Sequence, residues 1–322
     1  LAGLVLVGMG LGGCESAPVA AEPAGARTIT EAEAMIMRGD AALARGDRET
    51  ALLQFARAIE INPRLTRAHM GMGEVYRVSG DYAKAELSYR QAATVEPRSF
   101  DAQYMHGLML HLLNRCSEAV GAYIRALQIR PEDFQANLNL ATAYYQLNEH
   151  RQALPYAENA VRLQPRDGRA RFNLGVIYAA LDRHKDAVTE YQQAAELMDL
   201  SAPLLINLAD SLSRLGRYEE MRNTLAELLR KAPTAAAHER LGFACFKLGR
   251  YDDARASFNN ALAMDADYFP ALNGLGVCDL NQYLLSERRD VAAKDRALAA
   301  LRRSIMLNRN QPRIEEFLTR YR

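Results

Sequence analysis

With 322 residues, 49% of them hydrophobic and 25% charged, the chain has the composition of a folded, water-soluble body and not of a disordered one. Forty basic and thirty-nine acidic side chains nearly cancel, which removes the electrostatic case for a nucleic-acid partner. Past residue 14 no apolar run approaches the roughly 20 residues that a spanning helix needs, so a body that crosses no membrane is expected.

The chain opens on LAGLVLVGMGLGG, an uncharged run too short to span a bilayer and of the length of a signal-peptide apolar core. A positively charged n-region and an initiator Met are missing from it, so a start inside a longer leader is expected. The small pair Gly12-Gly13 followed by Cys14 resembles the lipobox of bacterial lipoproteins. The resemblance implies cleavage before Cys14 and a diacylglycerol on its sulfur, the one good nucleophile at that place. An ordinary secretory leader, or a chance apolar start with an inert Cys14, is the alternative. Glu15 is not the aspartate that holds many such lipoproteins in the inner membrane, so a lipid-anchored protein on the periplasmic face of the outer membrane is expected. The segments are then 1–13 as leader and lipobox, and 14–29 as acylated cysteine and flexible tether, the latter rich in Ala, Pro and Gly.

From residue 32 the sequence repeats itself with a period of 34, or nearly so, in units that start at Ala32, Thr66, Phe100, Phe134, Gly168, Ala202, Ala235 and Phe269. The eighth position of each unit is Gly39, Gly73, Gly107, Ala141, Gly175, Ala209, Gly242 and Gly276, small in every case. Positions 20 and 27 are Ala in most units, position 24 carries Phe55, Tyr89, Tyr123, Tyr191 and Phe258, and position 32 is Pro63, Pro97, Pro131, Pro165 and Pro233. At position 15 stand Gly46, Gly80, Asn114, Asn148, Asp182, Gly216 and Gly249, residue types that tolerate the left-handed backbone at a helix end. The pattern reads as two antiparallel helices per unit, brought close by the small residues, filled by the aromatics and ended by the proline.

This pattern resembles the tetratricopeptide repeat (TPR) over most of the chain. The resemblance implies an all-α fold: a right-handed helical-hairpin solenoid of about eight TPR units over 32–310. Thr30-Glu31-Ala32-Glu33 reads as a capping box that opens the first helix. An insertion is expected near 284–294 in the last unit. Residues 311–322 follow as a capping helix whose stripe of Ile314, Phe317, Leu318 and Tyr321 covers the last open face. Unit 6 departs from the pattern with Met221, Leu225 and Leu228, bulk expected to part its helices or create a distinct surface.

In the family, positions 2, 5, 6, 9, 12 and 13 of the first helices face a concave groove. Position 6 is Asn139, Asn173 and Asn207 in three consecutive units, and a carboxamide both donates to and accepts from a peptide backbone. This ladder resembles the peptide-holding superhelix of O-linked N-acetylglucosamine transferase, although Asn is also common there as plain consensus. Tyr104, Tyr145, Phe172, Arg240 and Phe243 are the other candidate peptide contacts, with Met70, Leu108, His111, Gln146, Ile206, Asp210 and Phe246 around them. The clamp by which chaperone-binding relatives hold a terminal carboxylate is not matched: only Asn207 and Arg240 fit, while Phe172, Val176 and Ala236 stand at its other places.

No metal-binding, nucleophile or phosphate-loop motif appears, so no cofactor is expected and the chain does not read as an enzyme. A Cys245–Cys278 bridge and free buried thiols are both open, the latter as default. Residues 286–322 carry ten basic and five acidic side chains, a solvated end or a contact for an acidic partner. The function expected is an interaction scaffold that takes a protein or peptide ligand and meets the membrane only through its lipid anchor. A recognition subunit of a glycosyltransferase or cell-wall enzyme complex, and a cytoplasmic co-chaperone, are the alternatives; the oligomeric state is not readable.

Overall fold

The computed structural model describes residues 24–321, with side chains from Thr30 onward, so Cys14 and the lipobox lie outside the described residues. The described residues form helices and no strand. Contacts divide the chain into two compact bodies, up to Met109 and from Leu110 onward. The first contains α1 (Ala24–Ala44), α2 (Arg48–Ile61), α3 (Thr66–Val78) and α4 (Tyr82–Val95), and the division falls within α5 (Phe100–Leu112). The second contains α6 (Cys116–Ile129), α7 (Phe134–Gln146), α8 (His150–Leu163), α9 (Gly168–Ala180), α10 (His184–Leu197), α11 (Ala202–Arg214) and α12 (Tyr218–Lys231). It continues through α13 (Ala235–Lys247), α14 (Tyr251–Met264), α15 (Phe269–Leu285), α16 (Val291–Leu307) and α17 (Pro312–Arg320). Successive helices pair as hairpins and each hairpin stacks on the next within its body, the architecture of a helical-hairpin solenoid. From α3 to α15, every first helix begins at the residue where the sequence unit begins.

The turn inside each hairpin follows from position 15. Gly46, Gly80, Gly216 and Gly249 have φ between 70° and 78°, and Asn114, Asn148 and Asp182 stand at 59°, 60° and 61°. All seven adopt the left-handed conformation that reverses the chain, where Asn and Asp serve as the least costly side-chain-bearing substitutes for Gly. In five of these seven turns the next residue opens the second helix in one of two ways, while Glu149 makes no cap bond and Arg250 reaches Glu219 on α12. Asp47 and Asp81 accept from the backbone N–H three residues on, both at 3.1 Å. Side-chain hydrogen bonds from Thr50 and Lys84, followed by these backbone ones, hold both carboxyls below the usual range. Where an arginine stands instead, it pairs with an acid in the first turn: Arg115 with Glu118, Arg183 with Asp186 and Arg217 with Glu220, at 2.6–2.7 Å. The acid then satisfies the helix dipole in place of a cap.

The core is built on contact between aromatic rings and bare Cα atoms. A methyl group placed on Gly39 would stand 2.7 Å from the Phe55 ring, on Gly73 2.7 Å from Tyr89, on Gly175 2.6 Å from Tyr191 and on Gly242 2.7 Å from Phe258. Phe55 and Phe258 are pressed from the other side as well, by Gly71 and Gly274 of the following repeat. Where position 8 is Ala the ring is absent: Ala141 is matched in register by Ala157, and Ala209 by Leu225, all four fully buried. In both pairs the added methyl on the first helix stands against a side chain smaller than a ring on the second.

Four expectations change. Helix α1 starts at Ala24, so residues 24–29 of the expected tether are helical and Thr30 lies inside the helix instead of capping it. The stretch AGARTI contains one Gly and no Pro, and a helix running through Ala32 extends into such sequence at little cost. The insertion near 284–294 takes the form of longer helices: α15 and α16 each have 17 residues where the hairpins from α3 to α14 have 13 and 14, leaving a short turn with Glu287 and Arg288 at φ 52° and 68°. Met221, Leu225 and Leu228 form no distinct surface. They are buried to 2% or less beside Leu204, Leu208 and Leu212, supplying the volume that a ring supplies elsewhere. The three described cysteines are free and buried, Cys245 and Cys278 included. The capping stripe holds its expected place: Ile314, Phe317, Leu318 and Tyr321 pack together on Leu280, Ala297 and Leu301.

Two outcomes test this packing. Gly175→Ala gains helix propensity of about 1 kcal/mol but meets the buried Tyr191 ring, an overpacking cost of about 1–3 kcal/mol, so it should lower the urea midpoint. In a Tyr191→Leu background the same substitution should raise the midpoint, because the pair then copies Ala209 and Leu225; a double-mutant cycle reads the change of sign. Burial pushes the Cys278 thiol up to about 11 and raises that of Cys245. With Cys14 and Cys116 changed to Ser, a disulfide reagent at pH 8 should therefore titrate these two thiols only after unfolding.

Candidate peptide-binding face

One register on the first helices of the second body gathers most of the candidate residues. Position 9 of one repeat lies beside position 6 of the next, and that pairing repeats along the row. Asn173 on α9 donates its Nδ2–H to Thr142 Oγ1 on α7 at 3.2 Å. Arg240 on α13 donates through Nε to Asp210 Oδ1 on α11 at 3.0 Å. Between these lies Asn207 on α11, whose neighbour in this register is Val176, a side chain with neither donor nor acceptor. Asn207 is half-buried and its side chain has no hydrogen-bond partner among the described residues. The ladder is thus unequal: Asn173 has spent a donor, Arg240 its charge, and Asn207 neither. Asn139 is half-buried and engaged in an interaction of its own.

Between α7 and α9 this register opens a pocket of about 220 Å³ lined by Thr142, Tyr145, Gln146, Phe172, Asn173, Val176 and Ile177. Tyr145 is 36% exposed at its rim, and its ring lies 5.2 Å from that of His150. Phe172 packs 5.9 Å from Tyr191, so one side of its ring belongs to the core and the other to the pocket. Gln146 is committed internally: its Oε1 accepts from His111 Nε2 at 3.0 Å and from the Cys116 thiol at 2.9 Å. Burial holds the His111 imidazole below its usual pKa, so it is neutral at pH 7.

The same register between α13 and α15 opens a second pocket, of about 340 Å³. Phe243 stands where the first pocket has Thr142, Phe246 where it has Tyr145, and Gly274 where it has Asn173. Because Gly274 carries no side chain, the Phe258 ring reaches the wall of this pocket. Phe243 also meets Tyr218 edge-on at 6.0 Å.

The structure therefore brings together on one row Asn139, Asn173, Asn207, Tyr145, Phe172, Arg240 and Phe243. Tyr104 belongs to the first body, where its ring stacks on Phe100 at 5.7 Å. Missed in the sequence were the roles of Thr142 and Asp210, which tie up two members of the row, and the carboxyl of Glu239 in the second pocket. Comparing position 9 of each unit with position 6 of the next would have exposed the first two. Among the described residues no group of three or more His, Cys, Asp or Glu is placed to hold a metal ion, and no helix is long and apolar enough to cross a membrane.

Comparison with known proteins agrees with this fold. A tetratricopeptide repeat model matches residues 36–94, 138–201 and 206–278, and a TPR repeat model matches 107–148. No curated protein matches the chain by sequence. Among solved structures, Pseudomonas aeruginosa PilF is 22% identical with a TM-score of 0.53, over 66% of this chain and 96% of its own. A tetratricopeptide repeat protein of Parabacteroides merdae is 20% identical with a TM-score of 0.52, over 80% of this chain and 98% of its own. YrrB, described as a TPR protein with an unusual peptide-binding site, is 20% identical with a TM-score of 0.52, over 61% of this chain and 97% of its own. At these identities the likeness is one of fold alone. With the repeat model matching more than half of its residues, the chain belongs to the tetratricopeptide repeat family.

Proposed function

We propose that the protein is an interaction scaffold that holds an extended segment of a partner along the first helices of its second body, from α7 to α15. The observation that carries this reading is the unspent carboxamide of Asn207, set in a row between two pockets with aromatic walls. A carboxamide that no side chain has claimed pairs with a backbone amide without selecting its side chain, while the flanking pockets accept apolar or aromatic side chains. The peptide-binding site for which YrrB is described supports the same use of the fold. Attachment to a bacterial envelope membrane through lipidated Cys14 is the second part of the proposal, and it rests on the lipobox-like sequence alone.

A photo-crosslinking residue at Tyr145, compared in cells with one on a second helix, should capture a discrete protein only from the Tyr145 site. Changing Asn139, Asn173 and Asn207 together to Ala should abolish that product. Against the captured segment as a synthetic peptide, Asn207→Ala should weaken binding by about two- to tenfold, the worth of one hydrogen bond, and by more than Asn173→Ala, whose donor is already engaged. Equal capture from both probes, or no effect of the triple change, would remove the row as the site.

The anchor has its own test. Expressed from its native gene, the protein should incorporate labelled palmitate, and Cys14→Ser should lose the label and leave the membrane fraction.

A further inference from the structure

The pocket between α13 and α15 carries a charge that its walls do not answer. Glu239 lines it, and among the described residues no hydrogen bond or ion pair reaches the Glu239 carboxylate. The nearest cation on its own helix, Arg240, is committed to Asp210 at 3.0 Å. Burial in these apolar surroundings raises the pKa of Glu239. Asn273, across the pocket on α15, is the second unanswered group. Its Nδ2–H donates to Gln311 Oε1 at 2.6 Å, but its Oδ1 is buried and accepts nothing among the described residues. The pocket thus presents two acceptors that accept nothing among the described residues, and the one cation in its lining, Lys247, has no hydrogen bond or ion pair to either. Its remaining wall is aromatic, with Phe243, Phe246 and Phe258, and the chain's own Lys247 already sets its ammonium 5.5 Å from the Phe243 ring.

We propose that this pocket recognises an arginine side chain of the bound partner segment, its guanidinium donating to the Glu239 carboxylate and Asn273 Oδ1 while its stem and planar face lie against Phe246 and Phe258. The inference rests on the extended-segment reading above and names the side chain that such a segment inserts. Arginine fits because its planar fork offers several donors in fixed directions, stacks on rings and gives up water more readily than an ammonium. Lysine delivers one compact, strongly hydrated charge, with no planar face to lie on the rings and no fixed fork to span the two acceptors. The pocket at the other end of the row, between α7 and α9, has Phe172 where this one has Asn273, and no carboxylate among its lining residues. The two ends therefore differ in the side chain each accepts, which gives the bound segment a direction.

The test uses the full chain against a displayed library of linear peptides, followed by solution affinities of the selected sequences. Binders should share an arginine at one fixed place. Replacing it by citrulline, which keeps the shape and loses the charge, should cost at least about tenfold in affinity, the worth of a charge-assisted hydrogen bond. Lysine should bind several-fold more weakly than arginine. Glu239→Gln should reproduce the citrulline loss while keeping or raising the melting temperature, since it removes a charge held in apolar surroundings. A merely structural carboxylate would lower stability instead. If the selected peptides depend on Asn207 but share no arginine, or bind equally well as citrulline or lysine peptides, the arginine site is overturned and the scaffold reading stands. If no peptide is retained, or binding is indifferent to both Asn207 and Glu239, both fall.

Discussion

The contact between a ring at position 24 and the Cα at position 8 is the constraint on which the rest of the structure depends. It sets how closely the two helices of a hairpin approach, and in the repeats of Phe55 and Phe258 it sets the seat of the next hairpin as well. Glycine is a poor helix former, and its presence in the middle of the first helices is a cost in propensity. That cost is offset by burying a whole ring, worth about 1.5–3 kcal/mol for a large apolar side chain. The two repeats with Ala141 and Ala209 confirm the exchange from the other side, since each has given up the ring.

This constraint also explains where ligand-reading side chains can stand. Positions 8, 20, 24 and 27 are consumed by packing, so variation is free only on the outward side of the first helices, at positions such as 5, 6, 9 and 12. The same position 6 is Gly71 or Gly274 where it must admit a phenylalanine ring, Met37 or Met105 in the first and third units, and Asn or Arg from Asn139 to Arg240. A single register therefore serves packing in some repeats and, in the reading proposed above, recognition in others. The difference between the two pockets follows from it: Gly274 exposes the ring behind it, while Asn173 covers that space and turns to Thr142.

Most of the fold was legible because its signals are local and repeated. Helix starts, left-handed turns and small-residue contacts each recur at fixed spacing, so chance agreement is excluded. The start of α1 was misread because a capping box is a weak preference, easily overrun by helix-permissive sequence such as AGARTI. The extra residues of the last repeat were misread for a related reason: Val291-Ala292-Ala293-Lys294 is good helix sequence, and only the partner helix decides whether it is used as one. The site was half legible. The periodic asparagines were visible, but whether each is free is decided by a residue 31 positions earlier in Thr142 and Asn173, and 30 earlier in Asp210 and Arg240. The envelope location and the lipid on Cys14 depend on residues outside those described, and they stand as proposals.

The pairing of position 9 with the following position 6 has a consequence for how such a chain changes over time. Each such pair is shared by two neighbours, so no repeat carries a complete one. Duplicating, deleting or exchanging a single repeat rewrites the junction on both of its sides while leaving every hairpin core intact. A valine replaced by a hydroxyl-bearing residue at position 176 would silence Asn207 without touching it. Under the proposed reading, specificity is written at the seams between modules, where exchange of a repeat leaves the packing positions of each hairpin unchanged.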